Sequence, residues 1–379
     1  MALFRTDIYD RNLKWQAPLG DLKKIEGTIR ANAISDMTLT VAARHKRAAL
    51  LSEPGARIRT KFRGEYLISG PLRQRAGAGP GVTGDLVFSC QSDWRILHNF
   101  LGYVNPAERV TSGPLLRQGE EGKEYTIGRR PAETVLKDAV RRNIVERRGF
   151  PLTVAADKGR GATTQVAFRM HPLYDRLFPA IQDAGLVVTV EQGDNGLVLD
   201  CYEPAPYPNV LTEGSRVIQK WSFNGHAPEA TSGVLGAQGQ GEQREFLAFR
   251  DPAREALWGD VSEVFKDARD TSDGTTHAQR MASALLETAA KSSLTVELAE
   301  SGNFKILGPK GLRPGQMVTA RVGNGIEVTD LVSEINFSWD ADNGLKLDAT
   351  IGPKDDPLDT LVQAITALAR GMNDMKAGT

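Results

Sequence analysis

Apolar and polar residues alternate along much of this chain, and a period of two predicts short antiparallel strands. The pattern is clearest between Leu312 and Gly352, where alternating runs are separated by polar turns. This segment opens on Pro314 and Gly315. The pair suits the two central positions of a type II turn, because glycine accepts the positive φ of the second position. The segment is therefore predicted to form a meander of half-buried antiparallel strands.

A similar pattern occurs earlier, in residues 39–92. A Leu-Thr-Val sequence at 39–41 precedes Pro54-Gly55, just as a second Leu-Thr-Val at 294–296 precedes Pro314-Gly315. Alternating runs follow both turns. We interpret this as one small β module used twice, once near each end of the chain. The alternative is that two unrelated meanders look alike because antiparallel meanders share this patterning.

The predicted fold class is mainly β with α+β: two related antiparallel β-barrel or tube modules, an intervening α+β domain, a helical insertion and a C-terminal helix. The predicted bounds are 1–112 for the first β module, 113–208 for the α+β domain, 209–250 with 292–356 for the second β module, 251–291 for the helical insertion, and 357–379 for the C-terminal helix.

The intervening domain is predicted from alternating helix and strand signals. Helices are expected at 131–148 and 172–184, each with proline at its first position. A hairpin is expected around Asn195-Gly196, a dipeptide typical of two-residue turns. Strands at 152–155 and 164–168 give the order α, β-β, α, β-β. Residues 103–130 are predicted to be loop.

Three helices are predicted in the insertion, at 253–257, 261–268 and 276–291. At the end of the chain, apolar residues at strict heptad spacing predict an amphipathic helix. These residues are Leu358, Leu361, Ile365, Leu368, Met372 and Met375. Two interpretations stay open: the helix packs on its own chain, or it joins copies of the chain or a partner protein.

Composition excludes several classes. Lys plus Arg and Asp plus Glu are both 47 of 379 residues, so the net charge is zero. No long-range field therefore attracts the chain to nucleic acid or an anionic membrane. No apolar run is long enough to span a membrane, and residues 1–7 lack the pattern of a secretory signal. Cys90 and Cys201 fall in apolar strand patterns and are expected to be buried thiols of a protein made in a reducing cytosol.

Catalytic motifs are missing from the sequence. There is no zinc-protease, nucleophile-elbow, phosphate-loop or kinase signature. Glycines at 236, 239 and 241 resemble a nucleotide-binding pattern, but their spacing is wrong and a bulged strand or a hairpin is the better interpretation. No catalytic, cofactor-binding or metal residue is therefore predicted. An enzyme is unsupported by the sequence, although two carboxylates facing across a cleft would leave no sequence signature.

The order of these patterns resembles the tail hub (baseplate-hub-like) minor tail proteins of long-tailed siphophages of actinobacteria. The stretches that carry the resemblance are Leu51–Gly55 with Leu67–Leu72, Ser89–Leu101, Pro131–Ile144, Leu173–Asp200, Val217–Gly241 and Leu312–Gly352. The C-terminal heptad helix is a departure, since it is not expected in every member.

The resemblance implies a homotrimer in which each chain supplies two related tube modules, so that six modules make a ring that matches a sixfold tail tube. The expected function is structural: a virion component at the tail tip, made in the bacterial host cytoplasm and forming part of the DNA channel. Expected partners are further copies of the chain, a tail tube or distal tail protein, the tape-measure protein, and downstream tail-tip or receptor-binding proteins. Sequence-specific nucleic acid and a membrane are not expected. The alternative is a tail enzyme or binding protein that hydrolyses or binds host cell-wall carbohydrate.

Overall fold

The computed structural model describes residues 3–79, 84–107, 125–236, 244–267, 281, 284–285, 288–289, 291–301, 304–323 and 325–352. Strands dominate these ranges, and most strand pairs are antiparallel. The mainly β fold class predicted from the sequence is confirmed. The predicted C-terminal helix, with Leu358, Leu361, Ile365, Leu368, Met372 and Met375, lies outside the described residues.

The first part of the chain is a β structure with short helical turns. Its elements are β1 (Phe4–Tyr9), β2 (Trp15–Leu19), β3 (Leu22–Arg30), β4 (Asp36–Ala42), α1 (Ala48–Ser52), β5 (Arg57–Phe62), β6 (Glu65–Ala78), β7 (Asp85–Gln91), a 3-10 turn (Asp93–Arg95), α2 (Ile96–Asn99) and β8 (Leu101–Gly102). Alternation explains these strands: in β4, Met37, Leu39 and Val41 are buried while the residues between them are half-buried.

The middle part contains the longer helices. Its elements are β9 (Tyr125–Pro131), α3 (Ala132–Val140) continued by a π-helical segment (Arg141–Glu146), β10 (Leu152–Val154), β11 (Thr163–Phe168), β12 (His171–Pro172), α4 (Leu173–Asp183), β13 (Val187–Gly193) and β14 (Gly196–Tyr202). Pro131 and Pro172 occupy the N-cap positions of α3 and α4, which places both helix starts close to the predicted ones. The predicted hairpin at Asn195-Gly196 is the β13–β14 pair.

The last part returns to strands. Its elements are β15 (Leu211–Thr212), a 3-10 turn (Glu213–Ser215), β16 (Ile218–His226), β17 (Ser232–Gly236), β18 (Phe246–Arg250), α5 (Pro252–Trp258), β19 (Glu263–Asp267), β20 (Lys291–Leu298), β21 (Met317–Val322), β22 (Ile326–Asp340) and β23 (Gly344–Ile351). The Asp251 side chain accepts a hydrogen bond from the Arg254 backbone N–H at 3.0 Å and so caps α5, which ends at Gly259 with φ +64°.

The two predicted β modules are not separate bodies, because one sheet runs through both. Its central path is β16-β20-β23-β22-β3-β4-β7-β6, with every neighbouring pair antiparallel. One apolar core lies behind it and contains residues from both ends of the chain, among them Ile25, Leu39, Phe88, Val296 and Ile335. A second core surrounds α3, α4, β13 and β14.

The prediction of helix at 261–268 is wrong, because residues 263–267 form β19. This strand pairs in parallel with β17, while β18 pairs antiparallel on the other side. Alternating half-buried Val264 and exposed Phe265 fit a strand, and pairing to β17 overrides the weak helical pattern. The predicted helix at 253–257 corresponds to α5.

The middle part differs from its prediction in one respect. Residues 125–130, expected to be loop, belong to β9 and pair with β11. The neighbouring strands β10 and β11 have different partners, since β10 pairs in parallel with β14. Local patterning finds strands but not their partners, and these partners are distant in sequence.

Candidate assembly surface

Both β modules contain the same turn. The Ala56 N–H donates to the Glu53 carbonyl at 3.1 Å across Pro54-Gly55, and the Gln316 N–H donates to the Arg313 carbonyl at 3.3 Å across Pro314-Gly315. The two glycines have φ +82° and +84°. These are the hydrogen bond and the glycine conformation of a type II turn.

A long strand bends at the same point after each turn. The Leu72 N–H donates to the Ala56 carbonyl at 2.9 Å, and the Val332 N–H donates to the Gln316 carbonyl at 2.8 Å. The register of β6 shifts directly after Leu72, and that of β22 shifts directly after Val332. The first half of each strand pairs with β5 or β21, and the second half pairs with β7 or β23. The bend therefore places each strand in two sheets.

The strand order repeats as well. In the large sheet, β16-β20-β23-β22 are followed by β3-β4-β7-β6, so β16 corresponds to β3, β20 to β4, β23 to β7 and β22 to β6. A register shift after Ile218 in β16 matches one after Leu22 in β3. The repeat is head to tail: the last strand of the second set, β22, pairs with the first strand of the first set, β3.

The pairing of β22 with β3 is called the internal join from here on. It shows how two repeats make contact with each other. Seven residue pairs lie opposite each other, from Glu334 and Arg30 to Asp340 and Lys24. The Thr28 hydroxyl donates to Asn336 Oδ1 at 2.7 Å. Phe337 lies opposite Gly27, and a Cβ on this glycine would come within 3.1 Å of the Phe337 ring. Backbone pairing, complementary charges and one aromatic ring over a glycine hold the join together.

Head-to-tail order leaves two further edges that match the ones used internally. Within the described ranges, β16 pairs only with β20, and the second half of β6 pairs only with β7. Residues 73–78 of β6 and 222–226 of β16 are exposed, whereas the strands of the internal join are half-buried or buried. The Phe223 side chain is 40% exposed on this edge. Open strand edges offer unpaired N–H and C=O groups to another chain.

The face of the large sheet that points away from the core is polar. Alternation places on it the acids Glu26, Asp36, Glu297, Glu334, Asp340 and Asp348 and the bases Lys24, Arg30, Lys220 and Lys346. Serine, threonine and asparagine fill much of the remaining surface. Burial, and to a lesser degree the neighbouring Glu297 carboxylate, raises the pKa of Asp348. Acids outnumber bases on this face among the described residues.

A buried ion cluster ties α3 to the β13–β14 hairpin. Lys137 Nζ donates to Glu133 Oε1 and to Asp200 Oδ1, both at 2.7 Å, and Arg160 Nε donates to Glu133 Oε2 at 2.8 Å. Hydrogen bonds from Arg160 hold the pKa of Glu133 well below its usual range. Burial raises the pKa of the adjacent Cys201 thiol to about 11.

The contacts in this ion cluster have a structural role. Glu133, Asp200 and Cys201 present ligand atoms close enough to share a metal ion. However, the Lys137 ammonium already lies between the two carboxylates and balances their charge, and the Cys201 thiol stays protonated near neutral pH. These contacts fasten the helix to the hairpin across the domain.

The connection between β16 and β20, residues 227–290, holds the small sheet β18-β17-β19 and helix α5, and it exposes several apolar side chains. Leu257 of α5 is 82% exposed, Val261 68% and Phe246 of β18 58%. The predicted insertion lies mostly within this connection, whereas the corresponding connection between β3 and β4 is only residues 31–35. It therefore extends one end of the large sheet with an apolar surface.

The sequence had pointed to Pro54, Gly55, Pro314 and Gly315, and these occupy equivalent corners of the two repeats. It had not pointed to Gly77 or Phe223 as edge residues. The spacing in the sequence does indicate that Gly77 is equivalent to a residue of the internal join. Gly77 follows Gly55 by 22 positions, just as Phe337 of the internal join follows Gly315 by 22 positions. No helix within the described ranges is long and apolar enough to cross a membrane.

Comparison with solved structures finds this fold in phage tail proteins. The 43 kDa tail protein of prophage MuSo2 from Shewanella oneidensis is 12% identical, with a TM-score of 0.59 over 92% of this chain and 97% of that one. The tail protein from Neisseria meningitidis MC58 is 12% identical, with a TM-score of 0.57 over 93% and 97%. Prophage tail protein gp18 from Listeria monocytogenes EGD-e is 14% identical, with a TM-score of 0.56 over 96% and 99%.

At the level of sequence, a family model described as "Siphovirus ReqiPepy6 Gp37-like protein" matches residues 5–353. A comparison with curated protein sequences found no match. The expected resemblance to the tail proteins of siphophages is confirmed by the family and by the fold.

Proposed function

Because that match covers nearly the whole sequence, the chain belongs to the siphovirus ReqiPepy6 Gp37-like family, and we propose that it is a structural hub of the phage tail. In this proposal three copies join head to tail into a closed ring at the tail tip. The role is that of a scaffold and not of an enzyme. The predicted domain boundaries are part of the same proposal.

The internal join carries the proposal. Within one chain, the edge of β22 already pairs with the edge of β3. The equivalent edges of β6 and β16 have no strand partner among the residues that the structure describes. A heterologous contact of this kind generates a ring if its rotation closes. The second copy can therefore use the contact that the chain itself displays, without any new surface.

In the proposal the ring closes at three copies because it has to match the symmetry of the tail tube. Two repeats in each chain give six repeats in a trimer, which fits a sixfold tube or distal tail protein on one side. The tape-measure protein would enter the ring, and downstream tail-tip or receptor-binding proteins would bind below it. The exposed apolar surface of the connection between β16 and β20, with Leu257, Val261 and Phe246, supports a further protein contact.

In such a ring the polar face of the large sheet would line the channel. Acids exceed bases on this face, and DNA carries about one negative charge per 1.7 Å of its length, so the lining would not hold the DNA backbone. A channel that DNA crosses needs this weak interaction. Two arginines at the end of the helix that begins with α3 make contacts within the chain: Arg142 Nε of the π-helical segment donates to Asp138 at 3.0 Å, and Arg147, directly after the segment, stacks 3.7 Å from the Tyr103 ring centroid.

The mass of the purified full chain in solution tests the ring, measured by light scattering over a wide concentration range, with and without the tail-tube protein of the same phage. We expect a species with the mass of three chains and, by electron microscopy, a ring with a central hole. A chain that stays monomeric in every condition, including with the tube protein, contradicts the proposal.

The alternative remains a protein that binds or hydrolyses host cell-wall carbohydrate. It makes a different prediction, namely saturable binding of purified cell-wall glycan, or release of glycan fragments, by the isolated chain. The same preparation can be used for both measurements. Glycan binding without self-association would favour this alternative over the hub.

A further inference from the structure

The repeat defines which residues of β6 and β16 are equivalent to those of the internal join. In both repeats the shift after the bend gives the alignment: Val332 corresponds to Leu72, and their partners Ile351 and Cys90 correspond in turn. Counting on from the bend, Phe337 of β22 corresponds to Gly77 of β6, through their partners Leu347 and Leu86.

The same procedure aligns β16 with β3. Leu294 of β20 and Met37 of β4 correspond, because each lies opposite an equivalent residue of the next strand, Ile351 or Cys90. On the other side Leu294 faces Phe223, and Met37 faces Gly27. Phe223 therefore stands where the internal join has Gly27.

The aromatic ring and the glycine have thus exchanged strands. In the internal join, Phe337 of β22 covers Gly27 of β3. At the open edges the glycine, Gly77, is on the β22-type strand, and the aromatic ring, Phe223, is on the β3-type strand. Each combination provides one large ring and one empty position at the same level of the sheet, so the two sets of edges have the same complementarity.

We propose that β16 of one copy pairs antiparallel with β6 of the next in the register of the internal join, with Phe223 of one copy opposite Gly77 of the other. Asn224 then lies opposite Ala76, and Ser222 opposite Ala78. This inference rests on the proposed ring and adds to it the partner surface and the register. It identifies a second copy of this chain as the occupant of the exposed edge.

Local geometry supports the role of the glycine. A Cβ on Gly77 would lie 2.8 Å from Leu86 Cδ2, so a side chain there would have to displace the half-buried Leu86 side chain as well as meet the incoming ring. Phe223 has 40% of its side chain exposed in the single chain. Pairing of the edges would remove this ring from water and satisfy the open backbone groups of both strands.

Engineered disulfides test the register. Residues directly opposite in an antiparallel pair have Cα atoms about 4.5–5.5 Å apart, within the range that a disulfide bridges. The in-register variants are Ala76→Cys with Asn224→Cys, and Ala78→Cys with Ser222→Cys. The matched control, Ala76→Cys with Ser222→Cys, is displaced by two residues. All four positions are exposed, and the native Cys90 and Cys201 are buried.

After mild oxidation of the purified full chain, both in-register variants should give covalent species of up to three chains on a non-reducing gel. The displaced control should give little. A mixture of the two single variants Ala76→Cys and Asn224→Cys should stop at two linked chains. Equal cross-linking of the displaced control would overturn the register. So would absence of cross-links in a sample whose measured mass is that of three chains, and this result would leave the ring itself intact.

A non-covalent measurement gives an independent check. Phe223→Ala should weaken self-association by at least about tenfold, as expected when a buried aromatic contact is lost. Phe246→Ala is the matched control, since Phe246 is also exposed but lies in β18 of the small sheet, away from both edges. Circular dichroism checks that both variants stay folded. Equal affinities for the two variants and the wild type would overturn the proposed contact, whereas monomers of every variant and of the wild type would overturn the ring as well.

Discussion

Arg30 of β3 and Glu334 of β22 form an ion pair across the internal join, with 3.4 Å between Nε and Oε2. The Glu334 side chain is 5% exposed and that of Arg30 is 30% exposed. The pair links strands from opposite ends of the sequence at the point where the two repeats meet. The stability of the whole chain should therefore depend on a contact that could also have been made between two separate molecules.

Glu334→Gln should lower the free energy of unfolding by about 1–2 kcal/mol, since the Arg30 guanidinium loses one of its two charged partners, Glu334, and keeps only the ion pair with Asp36. Urea denaturation of the purified chain measures this change. The control is Glu327→Gln, because Glu327 pairs with Arg321 where both side chains are about half exposed and such pairs contribute ~0–1 kcal/mol. Equal losses of unfolding free energy in the two variants would show that the Arg30–Glu334 ion pair contributes no more to stability than an exposed ion pair does.

Gly27 allows a test of the close packing beside the join, between β3 and β4. A Cβ at this position would lie 2.3 Å from the Asp36 carbonyl oxygen and 2.8 Å from Met37 Cα, both backbone atoms that cannot move aside. Gly27→Ala should therefore destabilise the chain by roughly 1–3 kcal/mol, as overpacking usually does. Gly20→Ala is the matched control, since a Cβ on Gly20 meets nothing within 4 Å. A Gly27→Ala variant as stable as Gly20→Ala would contradict this account of the contact.

The repeat could be predicted from the sequence because its turns and strands depend on residues that are close together in the chain. A type II turn requires a residue with positive φ, so Pro54-Gly55 and Pro314-Gly315 mark their positions clearly. Strand alternation then indicates buried residues such as Phe337 and Leu347. The two Leu-Thr-Val sequences, however, are not aligned in the structure: Leu294 corresponds to Met37 and not to Leu39. They lie in equivalent strands, displaced by two residues.

The join between the repeats could not be predicted, since backbone groups make most of it and any strand has these groups. Gly27 and Phe337 carry the contact, yet each has an ordinary explanation within its own strand. For the same reason local patterning missed β19, whose parallel partner β17 is separated from it by another strand and a helix. Long-range pairing decides such segments, and single-sequence periodicity does not contain it.

The second Pro-Gly turn, Pro314-Gly315, should tolerate substitution of its glycine less well than an exposed turn with the same backbone conformation. Gly315 has φ +84°, and a Cβ there would also lie 2.9 Å from the Tyr202 hydroxyl and 3.0 Å from Val187 Cγ1 on the β13–β14 hairpin. Gly315→Ala should therefore cost more than the ~1 kcal/mol that a left-handed residue costs by itself. Gly64→Ala isolates that cost, because Gly64 has φ +89° and open space around it.

Thermal unfolding of the two glycine variants gives the comparison. A larger fall in Tm for Gly315→Ala than for Gly64→Ala would demonstrate that the second Pro-Gly corner supports the β13–β14 hairpin. If both variants lose the same stability, the contact with Tyr202 carries no weight, and the requirement for glycine is conformational alone.

The buried ion cluster should make stability depend on pH. The pKa of Glu133 is lowered in the folded chain, first by the hydrogen bonds from Arg160. The unfolded chain therefore takes up the proton at higher pH than the folded chain does. The stabilisation from Glu133 is complete above its ordinary pKa of about 4.5 and is lost progressively as the pH falls below that value. Urea denaturation between pH 3 and pH 7 should show a steeper loss for the wild type than for Glu133→Gln.

Removal of the cation from the same cluster should be more damaging than removal of the acid's charge. Lys137→Met leaves Glu133 buried with Arg160 as its remaining cationic partner and removes the hydrogen bonds to Asp200 and the Ala156 carbonyl. Breaking a buried ion pair costs about 3–5 kcal/mol. The double variant Glu133→Gln with Lys137→Met should recover part of this loss, because it no longer buries an undercompensated carboxylate. If the two single losses simply add in the double variant, the two residues act independently and the cluster is not the unit that fastens α3 to β14.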